Sequence, residues 1–205
     1  MPPEAATDGY HHGDLKNALL SAAEGLLRTQ GTGGLSLREV ARLAGVSHTA
    51  PYRHFKGKDA LLQALARRGF ARLHAAMTDA AAGVPYGPEQ KLIAAGIAYV
   101  KLAENNPELM QLMFGGTLHP ATDATGGAVG RDALAALQAI IEPGISAGVF
   151  RQREPGELAL VAWTSMHGLA MLITAGLLKY DVDDPATLDK LIGTVAGNVI
   201  YGIAR

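Results

Sequence analysis

Ser36-Leu37-Arg38-Glu39-Val40-Ala41-Arg42-Leu43-Ala44-Gly45-Val46-Ser47-His48-Thr49-Ala50-Pro51-Tyr52-Arg53-His54-Phe55 is the stretch that decides the fold. It opens as a capping box, in which the Ser36 hydroxyl and the Glu39 carboxylate each satisfy an orphan backbone donor at a helix start. Leu37, Val40, Ala41, Leu43 and Ala44 face inward, and Gly45 stops the helix. Ser47 is a second N-cap, of a short helix running through Phe55. Two short helices separated by Gly45-Val46 predict a helix-turn-helix. In that arrangement the second helix enters the major groove of DNA, and its N-terminal residues meet base edges. Ser47, His48 and Thr49 can hydrogen-bond those edges, and Ala50 and the Thr49 methyl can touch a thymine methyl. Tyr52, His54 and Lys58 offer donors to phosphates, and the start of the next helix adds backbone N–H groups and a positive dipole end. A helix-turn-helix of purely structural use fits the same spacing. Counted from Ser47, Pro51 is the fourth helical residue and removes one backbone bond to the cap carbonyl, which predicts a short or distorted helix.

Helical spacing continues on both sides of this stretch, and nothing alternates as a strand does. A first helix is expected over Asp14–Gln30, with Leu15, Leu19 and Leu26 on one face and Gly31, Gly33 and Gly34 as stops. A long helix follows from Gly57 to about Asp79, with Leu61, Leu62, Leu65, Phe70 and Leu73 inward. Ala80 to Pro88 is the expected boundary. Beyond it, helices are expected over 89–104, from Pro107, over 128–147 with Pro143 kinking or ending it, over 155–179 and over 186–204, with a Gly, Thr and Pro-rich loop over 115–127.

The 205 residues carry a net charge of −1, yet residues 36–72 hold eight Lys or Arg against only Glu39 and Asp59. A local basic block on a near-neutral chain points to a polyanion, although a solvated helical face has the same composition. There is no cysteine, which excludes thiol catalysis, thiolate metal sites and disulfides. Met1-Pro2-Pro3-Glu4 lacks the basic and apolar segments of a secretory signal, and a cytoplasmic location is expected.

Other signals compete less well. Residues 158–178 contain no charged side chain, a length that could span a membrane. Thr164, Ser165, His167 and Thr174 interrupt the run and no Lys/Arg cluster flanks it, so a core or interface helix is expected rather than a membrane span. Gly144-Ile145-Ser146-Ala147-Gly148 matches the G-x-S-x-G hydrolase pattern but follows a helical segment where that pattern needs a strand. No catalytic residue, metal ligand set or cofactor is expected, and His119 stands alone. His11-His12 belong to an arm that either touches DNA or is a plain tail. Trp163 and His167 stand four apart on one helical face and, with Met166, could line a ligand pocket or simply pack a core. Met110, Met113 and Phe114 form a soft apolar group with the same two uses. Leu188, Ile192, Val195 or Ala196, Val199 and Ile203 make one stripe of the last helix. With Ala162 and Leu169 of the preceding helix they are expected to pair with their twins in a four-helix homodimer interface; intrachain burial is the alternative.

Tyr10-His11-His12-Gly13-Asp14-Leu15, Ser36 to Ala41, Ala44 to Ser47 and Tyr52 to Leu61 together resemble the DNA-binding domain of tetracycline-repressor-like (TetR family) regulators, over about residues 10–72. Gly148-Val149-Phe150, followed by a Pro-started helix with Trp163 and His167-Gly168, is similar to a Trp-His-Gly C-terminal subgroup of that family. The resemblance implies an all-α homodimer that binds double-stranded operator DNA, usually to repress transcription, and that answers to a small molecule in its C-terminal domain. It implies phosphate contacts at Tyr52, His54 and Lys58 and base contacts at Ser47 to Ala50, with Ser36, Arg38 and Arg53 also on the DNA face. Pro51 departs from the family's commonest pattern. The expected domains are an arm (1–12), a helix-turn-helix domain (13–80) and a ligand-binding and dimerisation domain (81–205), with no enzymatic activity and no membrane partner.

Overall fold

The computed structural model describes residues 12–116, 126–182 and 184–203. The chain is all-α: among the described residues it forms α1 (His12–Gly34), α2 (Leu37–Leu43), a 3-10 turn (Ala50–Arg53), α3 (Lys58–Ala82), α4 (Pro88–Glu104), α5 (Pro107–Phe114), α6 (Gly126–Ser146), α7 (Pro155–Thr174) and α8 (Pro185–Ile203). It divides into two compact units, 1–66 and 67–205, with the boundary inside α3. The expected arm, apart from His12, lies outside the described residues, as do most of the 115–127 loop and His119.

In the first unit α1 packs on α2, and α2 on the 3-10 turn. Leu19, Leu27, Val40, Phe55 and Leu61 fill the space between them. The regular helix of α1 breaks at Gly31, where the backbone leaves helical space. Only half of the expected capping box forms. Glu39 N–H donates to Ser36 Oγ at 3.2 Å, but the Glu39 carboxylate turns the other way and accepts from Arg42 Nε and Nη2 at 2.9 and 2.6 Å. A guanidinium one turn on offers two charged donors, which outcompete one backbone N–H. That ion pair holds the Glu39 carboxyl below its ordinary pKa. Leu43, expected inward, is instead 48% exposed beside the turn.

The turn itself is made by Gly45, whose φ of 68° suits a residue without Cβ. Val46 N–H then donates back to the Ala41 carbonyl and closes the end of α2. The expected helix over 47–55 shrinks to the 3-10 turn. Ala50 N–H takes the Ser47 carbonyl at 3.0 Å, three residues back, because Pro51 has no N–H to offer it four residues on. Pro51 is buried and anchors the turn from below.

The second unit is a bundle in which α7 packs on α4, α6 and α8, and α4 on α5, α6 and α8. Tyr99, Met110, Ile141, Phe150 and Ile192 are among its most buried large side chains. Pro143 does not end α6, which runs on to Ser146. Ser146 Oγ donates to the Glu142 carbonyl within that helix, so the serine stands in helix rather than at a strand end. The expected 155–179 helix stops five residues early, where Leu177 N–H donates to the Leu172 carbonyl past Gly176. Asp184 caps α8, accepting from Thr187 N–H at 3.0 Å and from the Thr187 hydroxyl at 2.7 Å. Those two donors lower the Asp184 pKa. By length and composition α7 could cross a membrane, but its Ala159, Ala162, Met166, Leu169, Ala170 and Ile173 are buried against the other helices.

Candidate nucleic-acid interface and effector cavity

The short turn presents its polar groups outward. Ser47, His48 and Thr49 are exposed, and Ser47 Oγ and Thr49 Oγ1 share a hydrogen bond of 3.2 Å. Hydroxyls paired only with each other can still donate to or accept from a third group. Ala50 is half-buried. Tyr52 is 55% exposed, and Arg53 is exposed next to it. Arg38 is exposed on α2, whereas the neighbouring Ser36 hydroxyl is engaged as the cap of that helix.

Two expected phosphate donors are placed differently from the rest. His54 is half-buried; its Nε2 is fully covered and has no hydrogen-bond partner, and its ring lies tilted against Phe55 at 6.3 Å. Lys58 is exposed, and its Nζ donates to the Gly33 carbonyl at 3.3 Å, serving the frayed end of α1. A flexible ammonium has three donors and keeps two for other partners. Lys56, which sequence reasoning left out, is exposed between these positions. Its place in the basic block was the available signal.

In the second unit an apolar cavity opens among α3, α4, α6, α7 and α8, lined by Met77, Leu92, Tyr99, Leu137, Trp163 and Met166 among others. The free space is small, about 20 Å³, room for one water molecule. Of the expected ligand residues, Trp163 and Met166 line it. His167 stands behind it: the Tyr99 hydroxyl and His167 Nδ1 share a hydrogen bond of 2.8 Å. Phe114 packs on His167 at 4.6 Å and on Phe70 at 5.1 Å, joining α5 and α3 to the cluster. Met110 and Met113 are buried and do not line the cavity. Burial pushes the Tyr99 hydroxyl up to about 12, against a smaller downward pull from the nearby Trp163 indole. Burial also lowers the His167 pKa, which favours the neutral ring. Tyr99, Met77, Leu92 and Leu137 were missed because scattered apolar positions on three separate helices carry no joint signal in sequence.

The stripe expected to face a twin subunit lies largely inside the chain. Ala162, Leu169, Ile192, Ala196, Val199 and Ile203 are buried within one copy, and Val195 is half-buried. Ala162, Ala196 and Val199 line the cavity. α7 and α8 use this face on each other and on α4, which has apolar stripes of its own to cover. The apolar side chains these two helices leave exposed are Leu160, Val161 and Leu172 on α7 and Tyr201 on α8.

Comparison with known proteins agrees with this architecture. Residues 19–65 match the family described as bacterial regulatory proteins, tetR family, and residues 92–195 match the tetracyclin repressor-like C-terminal domain. A protein of unknown function from Rhodococcus sp. RHA1 is 35% identical, with 97% of this chain and 100% of that one covered and a TM-score of 0.83. The tetR family transcriptional regulator PfmR from Thermus thermophilus shares the fold at 24% identity, 91% and 99% coverage and a TM-score of 0.65. A bacterial regulatory protein in the tetR family from Rhodococcus RHA1 does so at 22% identity, 93% and 97% coverage and a TM-score of 0.69. No curated protein matches the sequence. With both of its halves matched, the chain belongs to the tetR family of bacterial transcriptional regulators and carries that family's helix-turn-helix DNA-binding head.

Proposed function

We propose that this regulator is a cytoplasmic homodimer that represses transcription from a palindromic operator and is released by a small molecule bound in its C-terminal unit, with no catalytic step. The observation that carries this is the exposed run Ser47, His48, Thr49, Tyr52 and Arg53 on a turn anchored by buried Pro51. Base-reading hydroxyls lead it, and phosphate-binding donors follow. The match to the family's DNA-binding domain supports it.

One head reads too little DNA to hold an operator, which is why two copies are needed. Leu160, Val161, Leu172 and Tyr201 give α7 and α8 an apolar outer face that suits a symmetric contact. Two such heads grip half-sites about 34–36 Å apart, or a multiple of that distance. Coupling to an effector has a physical carrier in α3. Met77 lines the cavity and Lys58 stands in the first turn of the same helix. An effector that prefers one setting of this helix shifts the populations of DNA-competent and incompetent dimers, and about 1–3 kcal/mol of coupling suffices.

The test is a gel shift with DNA flanking the protein's own gene, paired with sedimentation. The wild type is expected to sediment as a dimer and to give a single retarded band. Val161→Arg, which places a charge on the outer face without touching the core, is expected to sediment as a monomer and to lose the band. A wild-type monomer, or a Val161→Arg chain that stays dimeric and keeps full affinity, would sink the assignment.

A further inference from the structure

One donor in the second unit is left over. Trp163 Nε1 is buried and has no hydrogen-bond partner, although buried donors in folded proteins nearly always find one. The Tyr99 hydroxyl, joined to His167 Nδ1 at 2.8 Å, lies near the indole but outside hydrogen-bond geometry to Nε1. Trp163 and Tyr99 both line the cavity, and every other side chain lining it is apolar. No Lys, Arg, Asp or Glu is among them.

We propose that this cavity takes an uncharged, largely apolar molecule with one hydrogen-bond acceptor, such as a ketone, lactone or amide oxygen, that accepts from Trp163 Nε1. An anion is disfavoured: the lining has no cation to pair with it, and desolvating a carboxylate without one is costly. A lone water fits the space but finds there only the indole N–H and the Tyr99 oxygen, fewer than the three partners typical of buried water. The room for a larger molecule comes from side chains that move. Met166 and Met77 are unbranched and repack at low cost. Met166 lies across Gly96, where a Cβ would come within 3.1 Å of its sulfur, so the absence of a side chain at 96 is what lets the thioether settle there. Swinging Met166 away uncovers the floor of the cavity.

The inference rests on the regulator assignment only in naming the molecule as its effector; binding itself needs no DNA. The test uses the full chain and three probes of one shape: 1-tetralone, its hydrocarbon tetralin, and ionised 1,2,3,4-tetrahydro-1-naphthoate. Trp163 is the only tryptophan, so one indole N–H resonance and one emission band report on it. Tetralone is expected to bind about tenfold tighter than tetralin. The carboxylate is expected to bind weakest of the three. The indole N–H signal should move downfield with the ketone and not with the hydrocarbon. In Trp163→Phe, followed by thermal shift, ketone and hydrocarbon should bind alike; if that variant does not fold, the wild-type indole signal decides. Equal binding of ketone and hydrocarbon, tightest binding of the carboxylate, or no binding of any probe up to about 1 mM overturns the proposal. A chain that binds tetralone selectively but no DNA would undo the regulator assignment alone. A chain that binds DNA but treats the two neutral probes alike would undo only this inference.

Discussion

The turn at Ser47 to Arg53 and the aromatic cluster around Trp163 use their polar groups in opposite ways. On the turn, hydroxyls, an imidazole and a guanidinium face water, and the shape is held from beneath by Pro51 and Phe55. In the cluster, Tyr99 is buried, His167 and Trp163 are half-buried with the indole nitrogen covered, and two of the three hold each other. Exposed groups are solvated in the folded and unfolded chain alike, so they can be exchanged with little effect on folding. Covered groups have given up water, so each is part of the fold as well as of the site. Function and stability should therefore separate in the first region and move together in the second.

The strongest way to probe the contrast is beneath the turn. Phe55→Ala empties a fully packed position and should cost about 3–5 kcal/mol, with DNA binding lost through melting of the head; calorimetry that leaves the first unit unmoved would contradict this. Next comes Tyr99→Phe, which leaves His167 Nδ1 without its partner. It should cost about 1–3 kcal/mol by chemical denaturation and disturb ligand response as well. Tyr52→Ala should do the reverse, weakening DNA binding about five- to tenfold with the melting temperature held. A large loss of stability there would erase the distinction between the two regions.

The smallest effect is a pH dependence. Burial sets the folded His167 pKa below its ordinary 6.5. As pH falls below that value the unfolded chain takes up the proton first, so stability, full above it, declines until the folded pKa is passed. His167→Gln should flatten this slope in urea melts between pH ~7 and ~5. Asp184, with its pKa lowered from 3.8, acts only in a more acidic window.

Much of this was legible in the sequence because it is local. Gly45, the Ser36 cap, the proline starts of α4, α5 and α7 and the apolar periodicity each act within a few residues, and they placed the helices. Pro51 announced the distortion of the expected recognition helix, though not that the proline would be buried and convert it to a 3-10 turn. What was not legible depends on competition between distant parts. Glu39 had two possible partners, and geometry gave it to Arg42. Ile192 and Ala196 form a stripe that would suit a twin subunit or a neighbouring helix equally well, and α4 and α7 claimed it. The cavity was hidden for the same reason: Met77, Tyr99 and Trp163 are brought together only by the packing of α3, α4 and α7.

The brevity of the 3-10 turn bears on how a genome is searched. Four residues at about 2 Å each span about 8 Å of backbone, little more than two steps of a duplex that rises about 3.4 Å per base pair. So short a probe meets matching tracts by chance very often. In the dimer proposed above, selectivity would come from coincidence, two weak readings accepted only at one separation, and a change in that separation would silence both readings at once without altering either.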